Sequence, residues 1–287
     1  MQPRTLFFDV PTADTGKTHR LWVYDWGNPQ ATETVFCVHG LTRNGHDFDI
    51  LAESLAADGY RVLCLDVAGR GKSDWHEDPE LYNYPQYIAD ISHLIAQIGL
   101  SKIHFVGTSM GGIIGMMLAN AFPNLIKTLT LNDIGCVVEG AGLKRISTYI
   151  GANVFATRAE AEAELCLRCA NYGITDDAHW QNMFTHGIME TGDGKFCLAY
   201  DPNIAKSFAN NDEIKDLDLW PLWEAVKPIP VLLIRGEKSD ILTHETAIKM
   251  QNSHPNLTLL EIPNVGHAPA LADSVQIFAI RSLLAKH

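Results

Sequence analysis

Residues 107–112 read Gly107-Thr108-Ser109-Met110-Gly111-Gly112, and this stretch decides the fold. The apolar, β-branched run Ile103–Val106 precedes it, and the apolar stretch Ile113–Ala119, which has the length of a helix, follows it. A Gly-x-Ser-x-Gly pattern between a strand and a helix predicts a nucleophile elbow, a tight corner that carries a serine. The positions of Gly107 and Gly111 require glycine, because a side chain at either one would crowd the neighbouring strand and helix.

The serine of this corner, Ser109, is expected to have strained backbone angles that push its Oγ clear of the sheet edge. The helix that follows would direct its N-terminus at the same point. Unpaired amides at a helix N-terminus stabilise negative charge, so a transient oxyanion could be bound there. The local pattern therefore predicts a catalytic nucleophile.

Composition limits the classes of protein to which the chain can belong. Its 287 residues are 46% hydrophobic and 20% charged, which suits one large α/β domain or a core with an insertion. The net charge of −12 makes nucleic acid and anionic membrane surfaces poor partners. The N-terminus lacks the pattern of a signal peptide, and no apolar run has the length of a membrane span. A cytoplasmic protein with no membrane span is expected.

Strand-like and helix-like segments alternate along much of the chain. The predicted strands are Leu21–Trp26, Thr34–Val38, Arg61–Asp66, Ile103–Val106, Thr128–Asp133, Val231–Ile234 and Leu257–Ile262. The predicted helices outside the elbow are Phe48–Asp58, Tyr87–Ile98 and Ala270–Leu284. Alternation of this kind, with continuously apolar strands, predicts an α/β fold with a mostly parallel central sheet and helices on both faces.

The segment 134–219 breaks this alternation, since it is rich in Ala, Glu and Asn and has no clear strand run. We predict that it is a mainly helical cap inserted into a core made of 1–133 and 220–287. Such an insertion is expected over the carboxyl edge of the sheet, where ligands of these folds bind.

An activated serine needs a base that accepts its proton and a carboxylate that orients the base. His267 follows the last predicted strand and can turn towards Ser109, so it is the expected base. Asp240 follows the strand Val231–Ile234 and is the preferred acid. Asp133 and Glu237 remain alternatives. The sequence predicts that Asp240→Asn lowers turnover more than Asp133→Asn does.

An oxyanion also needs two backbone donors close to the serine. One is expected from Met110, the residue after the nucleophile. The other is expected from the loop His39–Gly45, where Gly40 allows close approach to a substrate and the Leu41 amide is the preferred donor. We therefore predict an oxyanion hole formed by the Leu41 and Met110 amides.

Metal and cofactor chemistry have weak support in the sequence. Cys166-x-x-Cys169 has no second pair and lies in a helix-like context. His244-Glu245 lacks the second histidine of a His-Glu-x-x-His site, and the other histidines show no ligand spacing. There is no phosphate loop of the Gly-x-x-x-x-Gly-Lys type. We predict no cofactor and no metal.

These features together resemble the α/β-hydrolase fold superfamily, in its serine-nucleophile type with a helical cap. The resemblance is carried by His39-Gly40, the stretch Asp66–Ser73, the elbow 107–112, Gly236 with Asp240, and Gly266-His267. It spans nearly the whole chain in the order found in the family. The resemblance implies a triad of Ser109, Asp240 and His267, an oxyanion hole of Leu41 and Met110, and a structural role for Asp66–Ser73 at the pocket edge.

The leading functional hypothesis is hydrolysis of a small carboxylic ester through an acyl-serine. Relatives with this triad also suggest hydrolysis of carbon–carbon bonds in ring-cleavage products, or opening of lactones. A small-molecule receptor that retains the fold is the non-enzymatic alternative. Apolar side chains in the predicted cap either line a pocket for the hydrophobic part of a substrate or form the core of the cap itself; the candidates are Tyr149, Phe155, Trp180, Met183 and Phe184. The sequence does not indicate an oligomeric state.

Overall fold

The structure is a computed structural model that describes residues 1–13, 16–151, 154–208 and 214–287. Its strands are β1 (Arg4–Pro11), β2 (Thr18–Trp26), β3 (Thr34–Val38), β4 (Arg61–Asp66), β5 (Ile103–Thr108), β6 (Ile126–Asn132), β7 (Val137–Val138), β8 (Val154–Phe155), β9 (Ile188–Glu190), β10 (Phe196–Leu198), β11 (Leu217–Asp218), β12 (Val231–Gly236) and β13 (Leu257–Ile262). Its α-helices are α1 (Asp49–Ala57), α2 (Tyr84–Ile98), α3 (Met110–Ala121), α4 (Gly140–Ser147), α5 (Arg158–Arg168), α6 (Asp177–Gly187), α7 (Trp220–Val226), α8 (His244–Ser253) and α9 (Ser274–Leu284).

The central sheet has eight strands in the order β1-β2-β4-β3-β5-β6-β12-β13. From β4 to β13 the neighbouring strands pair in parallel, whereas β1 and β2 pair antiparallel. Strands β3 and β12 are buried along their whole length, as expected of strands covered on both faces. The predicted α/β fold class with a mostly parallel sheet is confirmed.

The predicted strands and helices are found, with small shifts at their ends. Helix α2 begins three residues before the predicted start because Asn83 caps it and proline follows in the first turn. Helix α9 begins at Ser274 rather than at Ala270, since Asp273 accepts hydrogen bonds from the first amides of the helix. Strand β1 was not predicted. It lies at the edge of the sheet and is mostly exposed, so it lacks the apolar run of a buried strand.

The segment 134–219, predicted as a helical cap, contains helices α4, α5 and α6. It also contains short strands that the sequence did not indicate: β8, β10 and β9 form a three-stranded antiparallel sheet, and β11 pairs with β7. Strands of two or three residues are too short to produce a readable alternation. Cys166 lies in α5 as predicted, and both cysteines of the Cys-x-x-Cys pair are free thiols.

The elbow has the geometry that its glycines require. Ser109 has φ +53° and ψ −115°, a strained backbone conformation for a residue with a side chain. A Cβ on Gly107 would lie 2.4 Å from the backbone of Gly111, and a Cβ on Gly111 would lie 2.0 Å from the carbonyl oxygen of Val38. The serine corner is therefore pressed against β3.

No α-helix in the described residues combines the length and the apolar character needed to cross a membrane.

We predict that Gly111→Ala lowers the free energy of unfolding by about 3 kcal/mol or more, because the new methyl group meets backbone atoms that cannot move independently. Gly192→Ala is the matched control, since a Cβ there meets nothing within 4 Å, and its effect should stay within about 0.5 kcal/mol. Urea unfolding of both variants measures the difference. Equal stability of the two would contradict this account of the elbow.

Candidate active site

Ser109 and His267 lie in hydrogen-bond contact at the carboxyl edge of the central sheet. The Oγ of Ser109 is 2.8 Å from Nε2 of His267. His267 follows β13 on a loop, and only 8% of its side chain is exposed. The structure thus brings together the serine and the histidine that the sequence singled out.

The other ring nitrogen of His267 contacts Asp133, which follows β6 directly. Nδ1 of His267 lies 2.8 Å from Oδ2 of the carboxylate, and Asp133 is fully buried. The Gly236 amide donates to Oδ1 at 2.7 Å, and the Ser239 hydroxyl donates to Oδ2 at 2.5 Å. Three donors therefore satisfy this buried carboxylate, as a charge without solvent requires.

Asp240, the preferred acid of the sequence analysis, lies elsewhere. Its carboxylate accepts hydrogen bonds of 2.5 and 2.9 Å from the guanidinium of Arg145 on α4, and it is half-exposed. Partial burial raises the pKa of Asp240, but the hydrogen bond and charge of Arg145 outweigh this and leave the pKa below its ordinary value. The predicted contact between Asp240 and His267 is wrong, and Asp133 makes that contact instead.

The error has a simple structural cause. Strands β6 and β12 are neighbours in the sheet, so the residues after each of them reach the same edge. The loop after β12 contributes Ser239, whose hydroxyl supports Asp133. Asp133 has φ +55°, a left-handed conformation in which Asp and Asn are enriched. An aspartate placed directly at the end of the strand after the elbow helix was the signal that could have favoured it. Glu237, the third alternative, accepts the Asn264 amide at 2.7 Å.

The hydrogen bonds fix the tautomer of His267. A buried carboxylate accepts and does not donate, so Nδ1 carries the proton that faces Asp133. Nε2 then has a free lone pair and accepts a hydrogen bond from the Ser109 hydroxyl. The arrangement can remove a proton from Ser109 and hold the resulting imidazolium beside a negative charge.

The two residues predicted as oxyanion donors belong to different elements near Ser109. Met110 is the first residue of α3, where amides have no acceptor within the helix. Leu41 belongs to the loop after β3, and it lines the same cavity as Ser109. The loop comes close to the serine, since a Cβ on Gly40 would lie 3.7 Å from that of Ser109.

A second loop supports the first, a contact that the sequence did not indicate. Nε of Arg70 donates to the Leu41 carbonyl at 2.8 Å, and Arg70 is fully buried. Asp66, at the start of the same loop, accepts hydrogen bonds from the Gly45 and Lys72 amides. Burial raises the pKa of Asp66, although these hydrogen bonds oppose the rise. The Asp66–Ser73 stretch thus holds the loop that carries Leu41.

The cavity beside Ser109 has a volume of about 50 Å³, room for only a few water molecules. The core and the 134–219 segment line it together: Gly40, Leu41, Thr42, Arg43, Asp47, Phe48, Thr108, Ser109, Ile146, Tyr149, Tyr172, Ile174, His179, Met183, His267, Ala268, Pro269, Ala270 and Leu271. Tyr149 and Met183 are thus among the predicted cap residues that reach the cavity. Trp180 and Phe184 stack on each other, and Phe155 belongs to the small sheet of this segment.

The cavity has a polar side in an otherwise apolar wall. Arg43 is buried and pairs with Asp47, with its Nη2 2.6 Å from Oδ1. His179 lines the cavity on the same wall, and burial lowers its pKa, which favours the neutral imidazole. A ligand with both apolar and hydrogen-bonding groups fits such a lining.

His39, just before this loop, is fully buried between two backbone partners. Its Nδ1 donates to the Gly40 carbonyl at 2.7 Å, and its Nε2 accepts the Val67 amide at 3.1 Å. Burial lowers the pKa of His39 to about 3, from an ordinary value of 6.5. The folded protein therefore keeps this imidazole neutral.

We predict that acidification destabilises the protein partly through His39. Below pH 6.5 the unfolded chain takes up a proton that the folded chain refuses, so stability falls as the pH drops from 6.5 towards 3. His39→Gln should lose about 1 kcal/mol less than wild type between pH 7 and pH 5.5. Urea unfolding at both pH values measures this, with exposed His93→Gln as the control. Equal pH dependence of His39→Gln and wild type would contradict the prediction.

Comparison with known proteins agrees with this fold. The sequence model of the family described as "alpha/beta hydrolase fold" matches residues 33–273. A 3-hydroxybutyrate-oligomer hydrolase of Cupriavidus necator is 38% identical over 267 residues, which cover 90% of each chain.

Solved structures agree over nearly their full length. An alpha/beta hydrolase from Novosphingobium aromaticivorans superimposes with a TM-score of 0.87 and 36% identity, covering 100% of this chain and 99% of the other. A structure from Rickettsia typhi has a TM-score of 0.91 and 33% identity, with 99% of each chain covered. On these grounds the chain belongs to the α/β-hydrolase fold family and is a hydrolase.

Proposed function

We propose that the chain hydrolyses carboxylic esters through an acyl-serine intermediate, with Ser109 as nucleophile, His267 as base and Asp133 as acid. The observation that carries this proposal is the continuous chain of hydrogen bonds from Ser109 Oγ through both nitrogens of His267 to the buried Asp133 carboxylate. A nucleophile, a base within hydrogen-bond reach and a group that orients the base together suit acyl transfer.

In this mechanism Ser109 Oγ attacks the acyl carbon while His267 Nε2 takes its proton. His267 then gives the proton to the alcohol oxygen as the acyl–oxygen bond breaks. Water, deprotonated by the same nitrogen, attacks the acyl carbon. The bond between the acyl carbon and Ser109 Oγ then breaks, His267 returns the proton to Oγ, and the carboxylic acid leaves. Asp133 stays ionised throughout and stabilises the imidazolium.

The Leu41 and Met110 amides would bind the oxyanion. Support for Met110 comes from its place in the first turn of α3, where the helix leaves amides unpaired. Support for Leu41 comes from its position on the loop beside Ser109 and from Arg70, which holds its carbonyl. A donor from each side would fix the carbonyl of the substrate above the serine.

The substrate proposed is a short, hydroxyl-bearing acyl ester, such as an oligoester of 3-hydroxybutyrate. The small cavity limits the acyl group, and its mixed polar and apolar lining suits a short chain with oxygen atoms. The relative from Cupriavidus necator is named a 3-hydroxybutyrate-oligomer hydrolase. In this proposal 134–219 is the cap that closes the cavity, and 1–133 with 220–287 is the catalytic core.

We predict that Ser109→Ala lowers turnover by about four orders of magnitude or more and leaves the folded structure intact. The measurement is hydrolysis of p-nitrophenyl esters from acetate to decanoate and of 3-hydroxybutyrate dimer and trimer, with circular dichroism of both proteins. Wild type should prefer butyrate over decanoate by at least about tenfold in kcat/KM, because the cavity is small. Wild-type turnover in Ser109→Ala would exclude the mechanism. Activity on the p-nitrophenyl esters but none on the dimer and trimer would exclude the 3-hydroxybutyrate oligoester as substrate and leave the mechanism standing.

We predict that Asp133→Asn lowers kcat by about 10³- to 10⁴-fold, because an amide cannot hold the required tautomer of His267. Asp240→Asn, the matched control, should change kcat by less than about tenfold, since its carboxylate contacts Arg145 instead. Steady-state kinetics on p-nitrophenyl butyrate compares the two. A larger loss of kcat in Asp240→Asn would show that Asp240, in the loop after β12, orients His267 instead of Asp133.

A further inference from the structure

A second cluster of titratable side chains lies between β2 and α2. His19 is on β2, His76 is in the loop between β4 and α2, and Asp90 is on α2. All three are more than nine-tenths buried. One nitrogen of each imidazole and one oxygen of the carboxylate lie within 4.8 Å of one another. The mechanism proposed above uses none of them.

Two outer partners orient the members of this cluster. Nδ1 of His19 lies 2.9 Å from the hydroxyl of Thr12, while its Nε2 lies 3.1 Å from Oδ2 of Asp90. The Gln86 amide group donates to the other carboxylate oxygen, Oδ1, at 2.5 Å. Hydrogen bonds of this kind, on the atoms facing away from a site, fix the ligands of metal centres.

His76 supplies the observation that packing does not explain. Its Nε2 is buried and has no hydrogen-bond partner among the described residues. The ring lies edge-on to that of His19, with centroids 4.6 Å apart. Buried polar atoms normally find a partner, because leaving one unpaired costs free energy. An unpaired ring nitrogen beside a second imidazole and a carboxylate has the composition of a metal-binding site.

We propose that His19, His76 and Asp90 bind a divalent transition metal ion of the zinc class. Two imidazole nitrogens and one carboxylate oxygen suit this class better than Mg²⁺ or Ca²⁺, which prefer oxygen ligands. In the bound state His19 coordinates the ion through Nε2. The single proton of the neutral ring then stands on Nδ1, which donates it to the Thr12 hydroxyl.

A cavity of about 300 Å³ adjoins the cluster and gives the ion a route of entry. His19 and His76 line it, together with Thr12, Lys17, Thr18, Asp74, Trp75, Glu77, Asp78 and Leu81. The acidic side chains outnumber the single lysine, which pairs with Glu77, so the entrance favours cations. Three protein ligands leave at least one coordination position for water on this side.

A rival cluster of the same residue types is less suited to an ion. His46, Asp49 and His186 are only partly buried, and the two rings stack with centroids 3.4 Å apart and planes 15° apart. Lone pairs of stacked rings run side by side and do not converge on one point. Oδ2 of Asp49 accepts from Asn182 and contacts His46, while its Oδ1 is buried without a hydrogen-bond partner among the described residues, so the stacked rings alone set this cluster apart. This cluster therefore serves as the internal control.

The test is titration of the full-length, chelator-treated chain with Zn²⁺ by calorimetry and with Co²⁺ by visible absorption. Wild type is expected to bind one ion per chain with micromolar or tighter affinity. His76→Ala and Asp90→Asn should weaken binding by about 100-fold or more, whereas His186→Ala should bind as wild type does. His76→Gln keeps the volume of the side chain, and circular dichroism checks that each variant is folded.

Every result of this experiment decides the proposal. Loss of binding in His76→Gln and Asp90→Asn, with the fold retained, supports it. Binding that survives in folded His76→Gln, or that disappears in His186→Ala instead, overturns it, as does the absence of binding in wild type. Since none of these residues contacts Ser109, His267 or Asp133 in the hydrogen bonds described above, failure here leaves the proposed ester hydrolysis untouched.

Discussion

The rest of the structure depends on the close approach of the elbow to strand β3. A methyl group on Gly111 would stand 2.0 Å from the Val38 carbonyl, so only hydrogen at this position lets α3 begin where it does. The approach brings Ser109 beside the loop of Gly40 and Leu41, which continues from β3. Ser109 and a candidate oxyanion donor are thus adjacent because two backbones touch, and no flexible side chain sets the distance between them.

Burial of Asp133 imposes the second constraint. A carboxylate without solvent is tolerated only when donors surround it, and Gly236, Ser239 and His267 supply them. Gly236 ends β12, Ser239 lies in the loop after β12, and His267 lies in the loop after β13. The Asp133 carboxylate, which follows β6, therefore links the ends of three neighbouring strands. The Ser239 hydroxyl also accepts hydrogen bonds from the Ile241 and Leu242 amides, which fixes the loop that supports Asp133.

Much of this architecture could be read from the sequence, because continuous apolar strands, helix caps and an elbow leave local signatures. The acid could not. Asp133 and Asp240 follow adjacent parallel strands, and the choice between them depends on side-chain directions that spacing does not encode. The strands within 134–219 were missed because they are too short to show a period. The cluster of His19, His76 and Asp90 was missed because a hairpin strand, a loop and a helix contribute one side chain each, with no common spacing.

Asp240 has a different place in the structure, at the junction of the core and the 134–219 segment. Its ion pair with Arg145 is half-exposed, and such pairs contribute about 1 kcal/mol or less. The backbone contact beside it is more demanding, since a Cβ on Gly142 would lie 2.4 Å from the Asp240 carbonyl oxygen. Helix α4, which carries Gly142 and Arg145, also carries Ile146 into the cavity wall. The loop that supports Asp133 through Ser239 therefore also sets the position of α4. Asp133 and the cavity wall thus depend on the same loop.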